Sequence, residues 1–219
     1  MSKQIALFLT ITCLLFAVSI CCRHTKNLIK EEDKSINFTI EKYSDINEQT
    51  NKNVSIEYPR IVKSNNVTDI INETIYKNVI DELTMRTDYS SLSNTVFERV
   101  CTVKFADQEF FSLLVESRWF TKNTPRPGVD AYTMTFDLKE GSLINLYNIY
   151  DKDSISSRLK ESDFDIVNAP DSFFEDSFYE QYIKIDPVKG YYITHDKIGL
   201  LFNVNTGNYV VIEMRRSKI

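Results

Sequence analysis

Few side chains in this sequence have the types and spacing that catalysis requires. The chain contains two histidines, His24 and His195. His24 lies in a polar N-terminal stretch, and His195 lies at a predicted hairpin turn, where a solvated residue is expected more often than a general base. The cysteine and histidine spacings match no zinc site, and the sequence has no G-x-S-x-G or Gly-rich phosphate loop. The sequence therefore predicts no catalytic residue, no metal and no cofactor.

Two aspartate pairs, Asp151-Lys-Asp153 and Asp163-Phe-Asp165, have the D-x-D spacing of some acid/base and calcium sites. A lone pair of this kind begins a helix or forms a turn more often than it catalyses. A hydrolase of envelope glycan remains as an alternative. That alternative requires a cleft in which Asp130 and Asp137 converge with His195.

Segment 163–182 is the best candidate for a recognition surface, because acidic and aromatic residues alternate along it. Aromatic rings provide rigid contact area, and carboxylates attract a basic partner. The partner-binding candidates in this segment are Asp171, Phe173, Glu175, Asp176 and Tyr179. The alternative is an amphipathic helix over 171–184 that buries Phe174, Phe178 and Tyr182 and exposes its acids to water.

The overall charge limits the kinds of partner. The formal net charge is −5 and the pI is about 5.2. No block of Lys and Arg is long enough to follow a phosphate backbone, so the sequence predicts no nucleic-acid partner. A basic partner is electrostatically allowed. Arg126, which lies between two prolines in the loop 121–129, is a second candidate for partner contact.

The N-terminus predicts export. Lys3 precedes an apolar run at 5–18, and a short region ending in Cys21 and Cys22 follows. This order is that of a signal peptide, and the cysteine pair resembles the lipidation site of a bacterial lipoprotein. Plain secretion remains open, and so does an uncleaved anchor, because residues 5–22 are just long enough to span a bilayer.

The predicted organisation is a signal peptide of lipoprotein type at 1–22, a polar tether at 23–35 and a single domain at 36–219. The domain has possible sub-parts at 36–150 and 151–219. The expected location is the outer side of a bacterial cytoplasmic membrane, or the periplasm, with the membrane contacted through the N-terminal lipid or signal anchor.

Periodicity after residue 35 predicts an α+β fold. Period-two alternation predicts strands at 36–43 and 53–58, with Pro59 ending the second. One i, i+4 apolar stripe predicts a long helix, which Asn66 caps in a capping box with Asp69. The stripe consists of Val67, Ile71, Ile75, Val79 and Leu83.

Further strands are predicted at 95–105, 109–120, 130–138, 190–194, 198–202 and 209–214, and short helices at 151–161 and 171–184. The expected architecture is an antiparallel sheet with a long helix packed on one face, followed by a C-terminal helix-plus-hairpin part. Cys101 lies in one of these strands and is predicted to be a buried thiol. Pairing with an unlipidated Cys21 or Cys22 is the alternative.

Several of these segments together resemble a known family. The segments are Tyr58-Pro-Arg-Ile61, Phe111-Ser-Leu-Leu-Val-Glu116, Tyr132-Thr-Met-Thr-Phe-Asp-Leu-Lys-Glu-Gly141 with the following 143–150, and the hairpin 191–202. They are similar to the extracytoplasmic domain of unknown function shared by the lysozyme-sensing anti-sigma factor RsiV and the non-catalytic part of the peptidoglycan deacetylase PdaC. The loops 123–128 and 203–208 depart from that family's pattern.

Together with the predicted signal peptide and the lack of catalytic residues, the resemblance implies a non-enzymatic, membrane-tethered binding or sensory module of the cell envelope, whose ligand is a lysozyme-like protein or peptidoglycan. The alternative expectation is a structural or accessory envelope lipoprotein with no small ligand. A glycan hydrolase is the less favoured third interpretation.

Overall fold

Alternating apolar and polar residues build two β-sheets, and each sheet carries one helix. The computed structural model describes residues 35–85, 89, 92–161, 163–169, 188–205 and 208–216, without the side chains of 203–205 and 208. The described residues from Ile36 onward belong to one compact unit.

The first sheet has five strands in the order β1-β2-β3-β4-β5. Their bounds are Phe38–Asn47, Lys52–Ile61, Thr95–Ala106, Phe110–Thr121 and Gly128–Asp137. Strands β2 and β3 are parallel, whereas the other neighbours are antiparallel. The prediction of an antiparallel sheet is wrong for this pair of strands. A helical crossover joins β2 to β3, and such a connection returns the chain in the same direction.

Strand β2 continues past Pro59 to Ile61, although Pro59 was predicted to end it. Beyond Glu57 this strand pairs with β1 alone, because the register with β3 covers only Asn53 to Glu57. A proline is tolerated where one side of a strand has no partner.

The crossover is a continuous helical segment of three parts. Helix α1 covers Asn66–Tyr76, a π-helical turn covers Lys77–Asp81, and α-helix resumes at Glu82–Thr84. Together these parts are the predicted long helix, 19 residues in length.

The N-cap of α1 is Asn65, not the predicted Asn66. The Asn65 side chain accepts a 2.9 Å hydrogen bond from the backbone N–H of Thr68, and the Thr68 hydroxyl accepts one from the N–H of Asn65. This reciprocal pair is a capping box with Thr68, rather than Asp69, as its second member. Asp69 instead accepts a hydrogen bond from the Ser64 hydroxyl.

The predicted stripe lies on the first sheet. Ile71, Ile75 and Val79 are fully buried, and Leu83 is buried as well. They pack on the face formed by alternate residues of β2 to β5, such as Ile56 and Phe111. Burying each aliphatic side chain contributes about 1.5–3 kcal/mol, so this contact is a main source of stability.

The second sheet has four strands in the order β6-β9-β8-β7. Their bounds are Asp165–Asn168, Gly190–Ile193, Lys197–Asn205 and Asn208–Arg215 for β6, β7, β8 and β9. The sequence predicted the last three strands and missed β6. Helix α2, Lys152–Lys160, confirms the predicted short helix, and Asp151 caps it by accepting from the N–H of Ser154 at 2.8 Å.

The second sheet meets the first through its edge strand β7, whose backbone forms hydrogen bonds with side chains of β4 and β5. Ser112 of β4 accepts a 2.9 Å hydrogen bond from the N–H of Ile193 and shares a 2.7 Å hydrogen bond with the hydroxyl of Thr135. Leu114 and Tyr192 are buried in the same interface. Helix α2 packs on the second sheet and the long helix on the first, so the expectation of helices on one side of a single sheet is wrong.

Candidate functional site

Most of the predicted partner-binding residues lie outside the described part of the chain. They are Asp171, Phe173, Glu175, Asp176 and Tyr179, and the predicted helix 171–184 lies there as well. The predicted signal peptide, including Cys21 and Cys22, is also outside the described residues. Arg126 is described, and it is exposed in the loop between β4 and β5.

The residues required for the hydrolase alternative do not converge. Asp130 pairs with Ser117 near the start of β5, whereas Asp137 pairs with Phe110 at its end. Seven residues of strand separate the two by about 23 Å, and alternation places them on opposite faces. His195 lies in the exposed turn between β7 and β8.

The carboxylate pairs have structural partners. Asp151 is the N-cap of α2, as predicted. Asp163 forms an ion pair with Arg158 at 3.1 Å, and Asp165 forms one with Lys197 at 2.9 Å.

Cys101 is a free and buried thiol, which confirms the prediction made from its strand. Burial raises the pKa of Cys101 to about 12. The thiol is therefore protonated at neutral pH and is a poor nucleophile.

A buried arginine marks the candidate site. In β3, Thr95, Phe97, Arg99 and Cys101 occupy the alternate positions that face helix α1, and all four are buried. Arg99 is only 8% exposed. It lies in one cross-strand row with Ser117 of β4 and Asp130 of β5. This placement is unusual, because arginine is almost never fully buried unless it is paired.

Two hydrogen bonds fix the guanidinium of Arg99. Its Nε donates to the hydroxyl of Ser117 at 2.9 Å, and its Nη1 donates to the carbonyl of Val79 at 2.7 Å. Val79 belongs to the π-helical turn, and the neighbouring carbonyl of Asn78 accepts from the Tyr132 hydroxyl at 3.0 Å. Side chains of the sheet thus hold the backbone of the turn, a helical irregularity that is frequent at functional sites.

The charge of Arg99 has no carboxylate partner among the described residues. No acidic oxygen in this part of the chain lies within ion-pair distance of the guanidinium, and Nη2 makes no hydrogen bond there. Nη2 retains some exposure to solvent. Among the described residues, the one fully buried side-chain polar atom without a hydrogen-bond partner is the Tyr150 hydroxyl. The free edge of the guanidinium therefore faces solvent in a concave surface, which we call the Arg99 groove.

The Arg99 groove consists of two adjoining cavities that share Leu83, Arg99 and Asp130. One cavity, of about 480 Å³, extends past Tyr132 to Leu201. The other, of about 160 Å³, extends past Trp119 and Phe97 to Tyr89. Small-molecule sites commonly have such dimensions and combine apolar walls with a few convergent polar groups.

Aromatic rings form much of the groove wall. The guanidinium carbon of Arg99 lies 5.3 Å from the ring centroid of Phe97 and 5.7 Å from that of Tyr132. Trp119 stacks on Phe97 with a centroid distance of 6.4 Å. Gly128 makes room for Trp119, since a Cβ at Gly128 would lie 2.1 Å from the indole ring. Burial raises the pKa of Tyr132, so its hydroxyl remains a donor at physiological pH.

A polar network holds the end of the groove where Tyr89 lies. The Tyr89 hydroxyl donates to the Asp45 carboxylate at 2.6 Å, and Lys52 donates to the same oxygen at 2.8 Å. The Lys52 ammonium also lies 4.5 Å from the Tyr89 ring centroid. Lys52 and Tyr89 together lower the pKa of Asp45.

The chemistry that this groove offers is binding of a charged group. Its described lining contains neither histidine nor cysteine, and the described residues contain no cluster of metal-ligating side chains. A guanidinium edge directed into a concave, partly apolar surface is suited to a carboxylate or another oxyanion.

Sequence reasoning missed Arg99 although a signal was present. Its position in the strand 95–105 has the same phase as Phe97 and Cys101, so a charged residue falls where an apolar one is expected. Buried charges are costly, and such a position is informative for that reason.

The fold is similar to that of two solved DUF3298 family proteins. The protein from Pseudomonas aeruginosa PAO1 superimposes with a TM-score of 0.57 at 7% sequence identity, covering 85% of this chain and 93% of that protein. The protein from Bacteroides fragilis superimposes with a TM-score of 0.52 at 11% identity, with the same coverage of both chains. The likeness supports a domain of unknown function and concerns the fold alone.

The resemblance to RsiV and PdaC stays a prediction. No protein-family model and no curated protein matches the sequence. Within the described residues, no helix has the length and apolar character of a membrane span.

Proposed function

We propose that this protein is a binding module of the bacterial cell envelope, tethered to the outer side of the cytoplasmic membrane, and that it binds its ligand in the Arg99 groove. The observation that carries the proposal concerns Arg99, a residue that is only 8% exposed. Its guanidinium has no carboxylate partner among the described residues and faces a concave surface. An uncompensated buried charge costs stability, so a ligand group that neutralises it gives the position a function.

The tether is proposed from the sequence. The apolar run 5–18 and the following Cys21 and Cys22 support export and lipidation. Metabolic labelling with an alkyne fatty acid tests this part of the proposal. Incorporation that is lost in Cys21→Ala or in Cys22→Ala supports a lipid anchor and identifies the modified residue. No incorporation into the unaltered chain contradicts lipidation.

Peptidoglycan is the ligand that the groove favours over a protein such as lysozyme. A lysozyme-sized partner needs a surface of about 800 Å² on each side, whereas the groove is concave and small. A peptide branch or a short glycan end fits cavities of about 480 and 160 Å³. The net charge of −5 would attract basic lysozyme, but this attraction requires no specific site.

Calorimetry on the full-length chain in detergent micelles tests the proposal. Peptidoglycan fragments and lysozyme are titrated separately, at low and at physiological salt. We expect fragments to bind with micromolar affinity that persists at physiological salt and weakens more than about tenfold in Arg99→Gln. Arg118→Gln, on the opposite face of the sheet, is the matched control.

Two results contradict the proposal in different ways. Binding of lysozyme alone, surviving physiological salt, would replace the ligand by a protein. The absence of binding to both would favour a structural lipoprotein. Attraction to lysozyme that is seen only at low salt is generic and also counts against a specific protein ligand.

A further inference from the structure

The charges around the Arg99 groove indicate which ligand chemistry it takes. We infer that the groove recognises a zwitterion, namely a very short peptide, such as a dipeptide, whose terminal carboxylate and ammonium groups are both free. This inference rests on the proposed function, because it requires that the groove is a binding site.

The cationic part of the site is built and oriented. Ser117 and Val79 hold two of the three guanidinium nitrogens of Arg99, at 2.9 and 2.7 Å, and Nη2 remains directed toward the groove. The side chain therefore loses little conformational entropy on binding, and a carboxylate gains a charge-assisted hydrogen bond in a partly desolvated place.

The anionic part of the site consists of Glu82 and Asp130. Both line the cavity of about 480 Å³, and both are exposed. Neither carboxylate has an ion pair or hydrogen bond with a described residue. Asp130 projects on the same face of the sheet as Arg99, two strands away, at a backbone separation of about 10 Å.

The balance of these charges excludes simpler ligands. A simple anion is attracted by Arg99 and repelled by Glu82 and Asp130. A simple cation is attracted by the two carboxylates and repelled by Arg99. A zwitterion satisfies both signs at once, and charge complementarity of this kind gives specificity more than raw affinity.

The walls add a preference for a small apolar group next to the charges. Leu201 is 1% exposed and Leu83 is 5% exposed at the base of the groove. Tyr132 and Trp119 add aromatic surface on either side of Arg99. A dipeptide with small apolar side chains places its methyl groups against these walls while its two terminal charges reach the polar groups.

Titrating the full-length chain in micelles with dialanine and two blocked relatives tests the inference. The relatives are N-acetyl-dialanine, which lacks the ammonium, and dialanine amide, which lacks the carboxylate. Free alanine and trialanine show whether the ligand is an amino acid or a longer peptide end. We expect dialanine to bind at least about tenfold more tightly than either blocked form.

Charge removal in the protein gives a second, independent measurement. Asp130→Asn, at an exposed position that does not endanger folding, should weaken dialanine about two- to fivefold. It should not weaken N-acetyl-dialanine, and a modest gain is expected because the Asp130 carboxylate repels this anion. Arg99→Lys keeps the charge without the forked donors and should weaken every ligand that has a carboxylate. Glu98→Gln, on the opposite face of β3, is the control and should change nothing.

The inference is overturned if the three dipeptides bind equally, or if dialanine fails to bind at concentrations up to about 10 mM. It is also overturned if Asp130→Asn weakens acetylated and free dialanine alike. The proposed function fails separately. If peptidoglycan fragments bind in an Arg99-dependent way while dialanine and its blocked forms do not differ, the groove is a binding site but not for a zwitterion.

Discussion

Arg99 of the first sheet donates a 2.7 Å hydrogen bond from Nη1 to the backbone carbonyl of Val79 in the π-helical turn. This contact joins the middle of the sheet to the irregular part of the helix. The same guanidinium therefore serves the fold with two of its nitrogens and is available for a ligand with the third.

Arg99→Gln should destabilise the protein by about 2 kcal/mol, because the Val79 carbonyl and the Ser117 hydroxyl lose a charged donor in a buried place. Relief of the buried charge offsets part of this loss. Urea unfolding followed by circular dichroism measures it. Arg118→Gln, which is exposed on the other face of the sheet, should shift the unfolding free energy by less than about 0.5 kcal/mol. Equal effects of the two substitutions would contradict the structural role of Arg99.

Cys101 should not react with a maleimide in the native protein at pH 8. Burial raises the pKa of its thiol to about 12, so the thiolate is scarce and the sulfur is inaccessible. Peptide-level mass spectrometry separates its label from that of the N-terminal cysteines. We expect labelling in urea and none in buffer, whereas Val96→Cys, at an exposed position of the same strand, should label in both. Rapid native labelling of Cys101 would show that its strand opens readily.

Asp45 should make stability depend on pH. Its hydrogen bonds with Lys52 and Tyr89 lower its pKa below the ordinary value of 3.8. The unfolded chain therefore takes up a proton first as pH falls, and the stabilisation is present above about pH 4 and is lost as pH falls through the folded pKa. The melting temperatures of Asp45→Asn and the unaltered chain should differ most at pH 7 and converge progressively as pH falls below about 4. Glu48→Gln in the exposed β1–β2 turn is the control, and a constant difference for Asp45→Asn would contradict this account.

Ser112 should contribute to the contact between the two sheets. Its hydroxyl accepts from the N–H of Ile193 and is hydrogen-bonded with Thr135 in a buried place. Ser112→Ala leaves the Ile193 N–H unsatisfied, whereas Thr135 keeps its hydrogen bond to the Tyr191 carbonyl. It should cost about 1–3 kcal/mol in the free energy of unfolding, measured by urea denaturation. Ser44→Ala, on the exposed face of β1, should cost less than about 0.5 kcal/mol. A loss below 0.5 kcal/mol for Ser112→Ala, roughly that of the control, would show that the interface does not depend on this hydrogen bond.

The long helix could be predicted because its core contacts repeat at the period of an α-helix. Its start was displaced by one residue, since Asn65 and Asn66 can both act as a cap and Thr68 completes the box only for Asn65. The π-helical turn has no signature in the apolar stripe. It is held by Arg99 and Tyr132, which are distant in sequence.

The parallel pairing of β2 and β3 could not be read from either strand alone. Both strands alternate as antiparallel strands do, and only the helical crossover between them decides their direction. Strand β6 was missed because it has four residues, three of them exposed, so its pattern shows no buried face. Its existence depends on pairing with β9.

The candidate site was the least predictable part. Acidic and aromatic residues drew attention to segment 163–182, whereas the groove is formed by side chains that only strand register and the crossover helix bring together. Arg99, Ser117 and Asp130 come from three strands, and no local motif links them. The phase of Arg99 in its strand was the one local signal.

Fluorescence of Trp119 tests the central claim most directly. The chain has a single tryptophan, and it lines the groove beside Arg99. Titration of peptidoglycan fragments should change the emission in a saturable way, with the same dissociation constant as calorimetry. Arg99→Gln should move this titration to concentrations more than about tenfold higher. Calorimetric binding that leaves the Trp119 emission unaltered, or that keeps its full affinity in Arg99→Gln, would contradict the claim that the ligand occupies the Arg99 groove.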